Sequence, residues 1–199
     1  MVITMNDSVR AFISVPVAED VIRNIMRCQK ELARTTGEAV RWAPEEQIHL
    51  TLQFLGNISP AEIERLQTRL AAIMNRSADS LSARGPAVLP FRLHAHGLGA
   101  FPSPSRPRVI WVGLAGQIDE LKQLQAAVEN ATGRKEERAF HPHLTIGRVR
   151  EGHRPKLNFE RWKDEHFGEW EVRELLLMQS KLSPKGATHS VIARFEPCR

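Results

Sequence analysis

The chain predicts an α+β fold of two pseudo-symmetric lobes, with antiparallel sheets flanking a central cleft and helices on the outside. Three observations carry that expectation. Alternating segments interleave with segments of helical period, and several strands follow one another directly, which argues against a doubly wound parallel sheet. The tetrad His-Leu-Thr-aliphatic occurs twice, at His49-Leu50-Thr51-Leu52 and His143-Leu144-Thr145-Ile146. Each copy opens an expected strand and precedes an expected helix, so the chain carries a weak internal repeat within a single bilobal domain spanning 1–199.

Residues 9–17 predict the first strand, with Val9, Ala11, Ile13 and Val15 on one face and Arg10, Phe12 and Ser14 on the other; Pro16 ends it. Residues 19–35 have the period of an amphipathic helix whose stripe is Val21, Ile22, Ile25, Met26, Gln29, Leu32 and Ala33. Trp42 and Pro44 fall in the connection to a strand over 48–55, which Gly56 closes. The second helix has the clearest start: Ser59 as N-cap, Pro60 at the first helical position and Glu62 completing a capping box. Its stripe is Ile63, Leu66, Leu70 and Ile73. Residues 76–87 are small and polar and read as a hinge or loop between halves.

Strands are expected at about 88–98 and 108–114, joined by a proline-rich loop that carries Arg106 and Arg108. A third helix holds Ile118, Leu121, Leu124 and Val128 and stops at Gly133. Residues 158–167 read as a short helix with Phe159 and Trp162. Strands at about 170–181 and 188–196, with the turn Ser183-Pro184-Lys185-Gly186 between them, complete the chain.

Composition bounds the function classes. A 42% hydrophobic and 26% charged chain of 199 residues is an ordinary globular protein with one substantial core. The formal net charge of +5 favours an anionic partner, nucleic acid being the commonest. Cys28 and Cys198 lack the spacing of a zinc or redox motif, which points to a reducing cytoplasm. No apolar run reaches the ~20 residues of a bilayer span, and no signal-peptide pattern opens the chain, so no membrane is expected.

The repeated tetrad is the candidate site. Independent placement of the 8 His and 8 Thr gives only roughly 0.3 occurrences of His-x-Thr by chance, so two aliphatic-followed copies are improbable. In a strand, alternate side chains share a face, so each His sits beside its Thr. Two imidazoles with ordinary pKa near ~6.5 can supply a base and an acid at neutral pH. Two hydroxyls can donate to the non-bridging oxygens of a phosphate, where charge accumulates. In-line phosphoryl transfer needs that set and no metal, and a strained cyclic phosphate suits it as substrate. His49, His143, Thr51 and Thr145 are therefore the expected catalytic and phosphate-binding residues, with no cofactor.

The chain resembles the bacterial and archaeal RNA 2′,3′-cyclic phosphodiesterases, or 2′-5′ RNA ligases, of the two-histidine phosphoesterase superfamily. The matching segments are 10–15 with Trp42, then 48–56, 97–102, 107–113, 140–148 and 180–186. The paired tetrads are specific to the superfamily; the 97–113 stretch and the turn near Gly186 narrow it to the family. The resemblance implies a bilobal fold and RNA ending in a 2′,3′-cyclic phosphate as partner. It implies opening of that ring to a 2′-phosphate, and the reverse joining of tRNA halves. His143 is expected as base for the attacking water and His49 as acid to the 3′ oxygen, in a monomer. Arg148, five residues after His143, is a candidate phosphate ligand; unbroken strand parity puts it on the face opposite His143, so it reaches the phosphate if the strand ends or bends there and otherwise has a surface or structural role. Phe12 and Phe54 are candidates for stacking on a base. Where the family commonly carries a tyrosine after the late turn, this chain has His189.

Other signals are weaker. His94 and His96 form His-x-His without a third ligand nearby, so no metal site is expected. His141 is expected to cap a strand, the alternative being that it shapes the active-site entry, and His153, His166 and His189 are expected to lie on the surface. Arg106, Arg108, Arg134, Lys135 and Arg138 track an RNA backbone or form a solvated face. The alternative functions are a phosphodiesterase for a cyclic nucleotide or ADP-ribose derivative, and a non-catalytic RNA-binding module.

Overall fold

The computed structural model describes residues 8–74, 89–136, 138–183 and 186–197. The expected hinge at 76–87, the turn residues Pro184 and Lys185, and Cys198 lie outside the described residues. The elements run β1 (Val9–Val15), α1 (Glu19–Thr36), β2 (Val40–Trp42), β3 (Leu50–Ile58), α2 (Pro60–Met74), β4 (Phe91–Phe101) and β5 (Val109–Gly116). They continue with α3 (Ile118–Thr132), β6 (His143–Val149), β7 (His166–Val172), β8 (Leu175–Ser183) and β9 (Gly186–Phe195).

All strand pairings are antiparallel, in the order β7-β4-β5-β6-β3-β1-β8-β9, with β2 added to β6. The expected lobes are the two halves of this path, β6-β5-β4-β7 and β3-β1-β8-β9. They meet through one residue pair, Leu50 with Leu144. Those are the second residues of the two tetrads, so a local two-fold axis passes between them. The sheet also curls. Val172 and Leu175 are joined by two residues, a link of at most about 11 Å, yet β7 and β8 stand six strands apart. A flat sheet would separate them by about 29 Å. Only an arch brings them together.

Helix packing follows the expected stripes. Val21, Ile25, Gln29 and Leu32 of α1 are buried, as are Ile63, Leu66 and Leu70 of α2 and Leu121, Leu124 and Val128 of α3. The α1 helix packs on β7, α3 on β3, and α2 on α3 and β9. Gly133 ends α3 in the left-handed conformation, φ 68° and ψ 14°, its N–H donating to the Glu129 carbonyl. Ser59 Oγ accepts from the Glu62 N–H at 3.3 Å, as an N-cap does. The Glu62 carboxylate does not close the capping box; it pairs with Arg134 at 2.5 Å. Among the described residues, no helix is long and apolar enough to cross a membrane.

Three expectations on elements are corrected. Gly56 does not close β3: with φ 65° it pairs with Ala11 beside an irregularity in the ladder, and the strand runs on to Ile58. The helix expected at 158–167 is a single 3₁₀ turn, Glu160–Trp162, because residues from His166 onward are taken up by pairing with β4. The strand expected at 170–181 is two strands, β7 and β8, divided at Arg173-Glu174.

Candidate active site

Both tetrads meet their neighbours in the same way. On β3, Thr51 pairs with Ser14 and Gln53 with Ile13, so the ladder slips by one residue at Leu52. On β6, Thr145 pairs with Trp111 and Gly147 with Ile110, so it slips by one at Ile146. The fourth residue of each tetrad is thus the extra residue of a β-bulge. A bulge reverses the parity of everything after it. The burial sequence records this identically from Leu50 and from Leu144: buried, half-buried, buried, buried, exposed. Arg148, which unbroken alternation sends to the far face, is therefore returned to the face of His143 and Thr145. Phe54, its equivalent on β3, returns to the face of Thr51.

The β6 bulge is tied down from outside. The Ile146 carbonyl accepts from the Ala43 N–H at 2.9 Å and from Gln29 Nε2 at 2.8 Å, and the same Nε2 donates to the Ala43 carbonyl at 2.9 Å. Gln29 is a buried polar residue on α1, and this is where its polarity is spent.

The axis at Leu50–Leu144 brings the tetrads together. Its antiparallel register sets His49 beside Thr145 and Thr51 beside His143. All four line one cleft of about 1500 Å³. His143 Nδ1 lies 2.6 Å from the His141 carbonyl, two residues back. A carbonyl only accepts, so Nδ1 carries the hydrogen and Nε2 is left to exchange protons. The carbonyl of Gln47, likewise two residues back, stands beside His49 and favours its charged form.

Each ring is wedged among aromatics. His49 stacks on Phe12 with centroids 4.8 Å apart and meets His189 edge-on at 5.2 Å. His143 meets Phe101 edge-on at 5.0 Å and Trp111 at 6.4 Å. Trp111 is held there by its cross-strand partner Gly99, where an added Cβ would lie 2.1 Å from the indole. Burial lowers both histidines. His49 falls to about 4, through desolvation first and the neighbouring His189 second. His143 is lowered by desolvation, against the opposing pull of its bond to the His141 carbonyl, with Arg148 lowering it further. Both are neutral at pH 7.

The other expected residues divide. Phe54 is 60% exposed at the cleft rim and is free to stack. Phe12 is 2% exposed and packs under His49 with Leu176 and Met178, so it is a floor beneath the imidazole and not an open platform for a base. His189, expected on the surface, is half-buried against Phe12 and His49 because the β8–β9 hairpin folds it into the cleft. His141 lines the cleft and supplies the carbonyl that holds His143. His94 pairs with Glu169 at 3.3 Å, and His96 lies against His166 across β4 and β7. Arg134 is not directed at a ligand: it binds the Leu55 carbonyl and Glu62, tying α3 to β3 and α2. Arg108 and Arg138 do line the cleft, joined by Arg10 and Arg41, which sequence reasoning did not single out. A lone arginine in a short strand gives no periodic signal.

Two mirrored His-x-Thr arms, neutral imidazoles and a cationic rim in one cleft suit chemistry on a phosphate. The model of the 2′-5′ RNA ligase superfamily matches residues 19–183. An Archaeoglobus fulgidus protein named RNA 2′,3′-cyclic phosphodiesterase is 31% identical over 94% of this chain and 99% of its own. An Aquifex aeolicus protein of the same name is 30% identical over 94% and 96%. Among solved structures, one from Thermus thermophilus superposes with a TM-score of 0.70 at 26% identity, covering 94% of this chain and 97% of its own. E. coli LigT, solved with 3′-AMP, shares the fold with a TM-score of 0.74 at 21% identity, covering 97% and 100%. The chain belongs to the 2′-5′ RNA ligase superfamily, and it is a phosphodiesterase.

Proposed function

We propose that the protein hydrolyses 2′,3′-cyclic phosphate ends of RNA to 2′-phosphates by a two-histidine acid–base mechanism that needs no metal. The observation that carries this is the pairing of the tetrads about Leu50–Leu144, which aims two histidines and two threonines into one cleft. His143, its Nδ1 hydrogen given to the His141 carbonyl, takes a proton from water on Nε2. The water oxygen bonds to phosphorus and the P–O3′ bond breaks. His49 delivers a proton to the departing 3′ oxygen, leaving a 3′-hydroxyl and a 2′-phosphate. Thr51, Thr145 and Arg148 hold the non-bridging oxygens.

Burial fits this division of labour. A deeply embedded His49, with pKa about 4, is a strong acid once it carries a proton. The proton enters with the substrate, whose negative charge compensates for the desolvated imidazolium. Acid, base and oxyanion donors are then all side chains of this protein, which is why the scheme calls for no metal. With a 5′-hydroxyl attacking in place of water, the same steps join two ends through a 2′-5′ linkage, and tRNA halves are the natural pair for such ligation. We place the protein in the cytoplasm as a monomer, in keeping with two cysteines that lack motif spacing.

Oligonucleotides ending in a 2′,3′-cyclic phosphate test the reading. The expected product is the 2′-phosphate, formed at an unchanged rate with a chelator present. A 3′-phosphate product overturns the regiochemistry, and a chelator-sensitive rate restored by divalent ions overturns the metal-free scheme.

A further inference from the structure

Five arginines line the cleft: Arg10, Arg41, Arg108, Arg138 and Arg148. Among the described residues, none of the five takes part in an ion pair, so their charge is free to meet a ligand. Two of the five stand directly opposite one another. Arg41 on β2 pairs with Arg148 on β6, between Val40–Val149 and Trp42–Gly147. Like charges in that position repel unless an anion lies between them.

The place of this pair in the sheet says which anion. The edge of β6 is shared: β3 holds it at Leu144, and β2 takes it over from Gly147 onward. Arg41 therefore lies on the axis of the cleft, one row beyond the His–Thr quartet. With the bulge at Ile146 counted, the backbone row of Arg148 and Arg41 follows Thr145 by one same-face step, about 7 Å along the strand, so on the proposed mechanism Arg148 extends back to the reacting phosphate and leaves Arg41 for the next one. That step is close to the separation of successive phosphates in an extended RNA strand. The Arg41 side chain also crosses the mouth of the cleft. A Cβ added at Gly186, where β9 begins, would meet its Nη1 at 3.5 Å. At the opposite end of the axis Phe54 donates its backbone N–H to Glu136, so Arg10 and Arg138 there share their space with an acidic group, whereas among the described residues no carboxylate lines the cleft at the Arg41–Arg148 row. A polyanion leaves such a cleft more readily across that row.

We propose that Arg41 is a specificity-determining residue, binding the phosphodiester immediately upstream of the reacting cyclic phosphate. RNA then leaves the cleft across β2. A guanidinium suits this role because its planar fork pairs two donors with two phosphate oxygens. The proposal rests on the phosphodiesterase reading above and adds a substrate requirement: a chain of at least two nucleotides is preferred to a single nucleoside 2′,3′-cyclic phosphate.

The test compares three substrates: a nucleoside 2′,3′-cyclic phosphate, a dinucleotide ending in the cyclic phosphate, and that dinucleotide with a neutral methylphosphonate linkage. Arg41→Gln is expected to lower kcat/KM on the dinucleotide roughly 10–100-fold, mainly through KM. Its effect on the nucleoside substrate should stay within about threefold. In the parent protein, the neutral linkage should cost the same factor as the substitution, and it should cost Arg41→Gln nothing more. Equal losses on nucleoside and dinucleotide would overturn the proposal. So would a parent protein indifferent to the neutral linkage, a result that needs no variant to fold. If the parent opened none of the three substrates, the phosphodiesterase reading itself would fall; if it opened them and Arg41→Gln matched it throughout, only the Arg41 subsite would.

Discussion

The two halves of the sheet carry the same chemistry on different surroundings. Each half presents a histidine, a threonine two residues on, and a bulge at the next residue. After the bulge they part. The residue five positions beyond the histidine is Phe54 in one half and Arg148 in the other. The cross-strand partner of the threonine is Ser14 in one and Trp111 in the other. The chain flanking the tetrad strand brings Glu136 to one and Arg41 to the other. On the proposed mechanism the symmetric part opens a phosphate ring. The asymmetric part would give the substrate a direction, with an aromatic rim and a carboxylate at one end and the Arg41–Arg148 row at the other.

The symmetric part gives the largest expected effect. His49→Ala and His143→Ala should each lower kcat by about 10²–10⁴, while RNA affinity stays near the parental value. If either variant kept the parental rate on cyclic-phosphate-ended RNA, the tetrads would not be the site. A non-catalytic RNA-binding module predicts no turnover to lose, so the parent rate also decides that alternative.

Next come the residues that break the symmetry. Arg148→Ala should lower kcat/KM roughly 10–100-fold, since a bond to a charged oxygen is lost, and should reduce the salt dependence of binding. Phe54→Ala should weaken binding by about 1–3 kcal/mol of base stacking, appear in KM, and leave the salt dependence alone. Kinetics at two ionic strengths separate the pair. Identical salt responses would remove the proposed polarity of the cleft.

The smallest effect concerns what positions the bulge. Gln29 holds the Ile146 carbonyl, while Gln125, its buried counterpart on α3, makes no such bond to the Leu52 carbonyl among the described residues. Gln29→Leu should therefore cost about 1–3 kcal/mol of stability and loosen Arg148, whereas Gln125→Leu should cost less. Denaturant unfolding of both variants checks this, and equal losses would show that the bulge needs no help from α1.

The sequence made the quartet legible because a period of two is a local rule. His and Thr two apart must share a face, whatever the rest of the chain does. The helix stripes were legible for the same reason. The face of Arg148 stayed open because nothing in Ile146-Gly147 announces a bulge; the pair continues an apolar pattern, and the slip is held by Ala43 and Gln29 from elsewhere in the chain. The same holds for His189, whose position depends on the hairpin folding back over Phe12. Arg173-Glu174 hid the break between β7 and β8, since neither residue is a turn former and the crossing is made by the curl of the whole sheet. Phe12 showed its face correctly but not its cover, because His49 reaches it from the neighbouring strand.

The central claim is that two buried imidazoles, both with lowered pKa, share one catalytic proton across the phosphate. Its most direct test is the pH profile of kcat/KM on cyclic-phosphate-ended RNA. Burial lowers His49 to about 4 and His143 below its ordinary value. The working form carries one proton on the pair, so it is lost as pH rises through the upper, depressed value and again as pH falls through the lower one. The account predicts a bell with its alkaline limb below the ordinary histidine value of ~6.5, falling about tenfold per unit toward pH 8. A rate that is flat or still rising between pH 6 and 8 would contradict it.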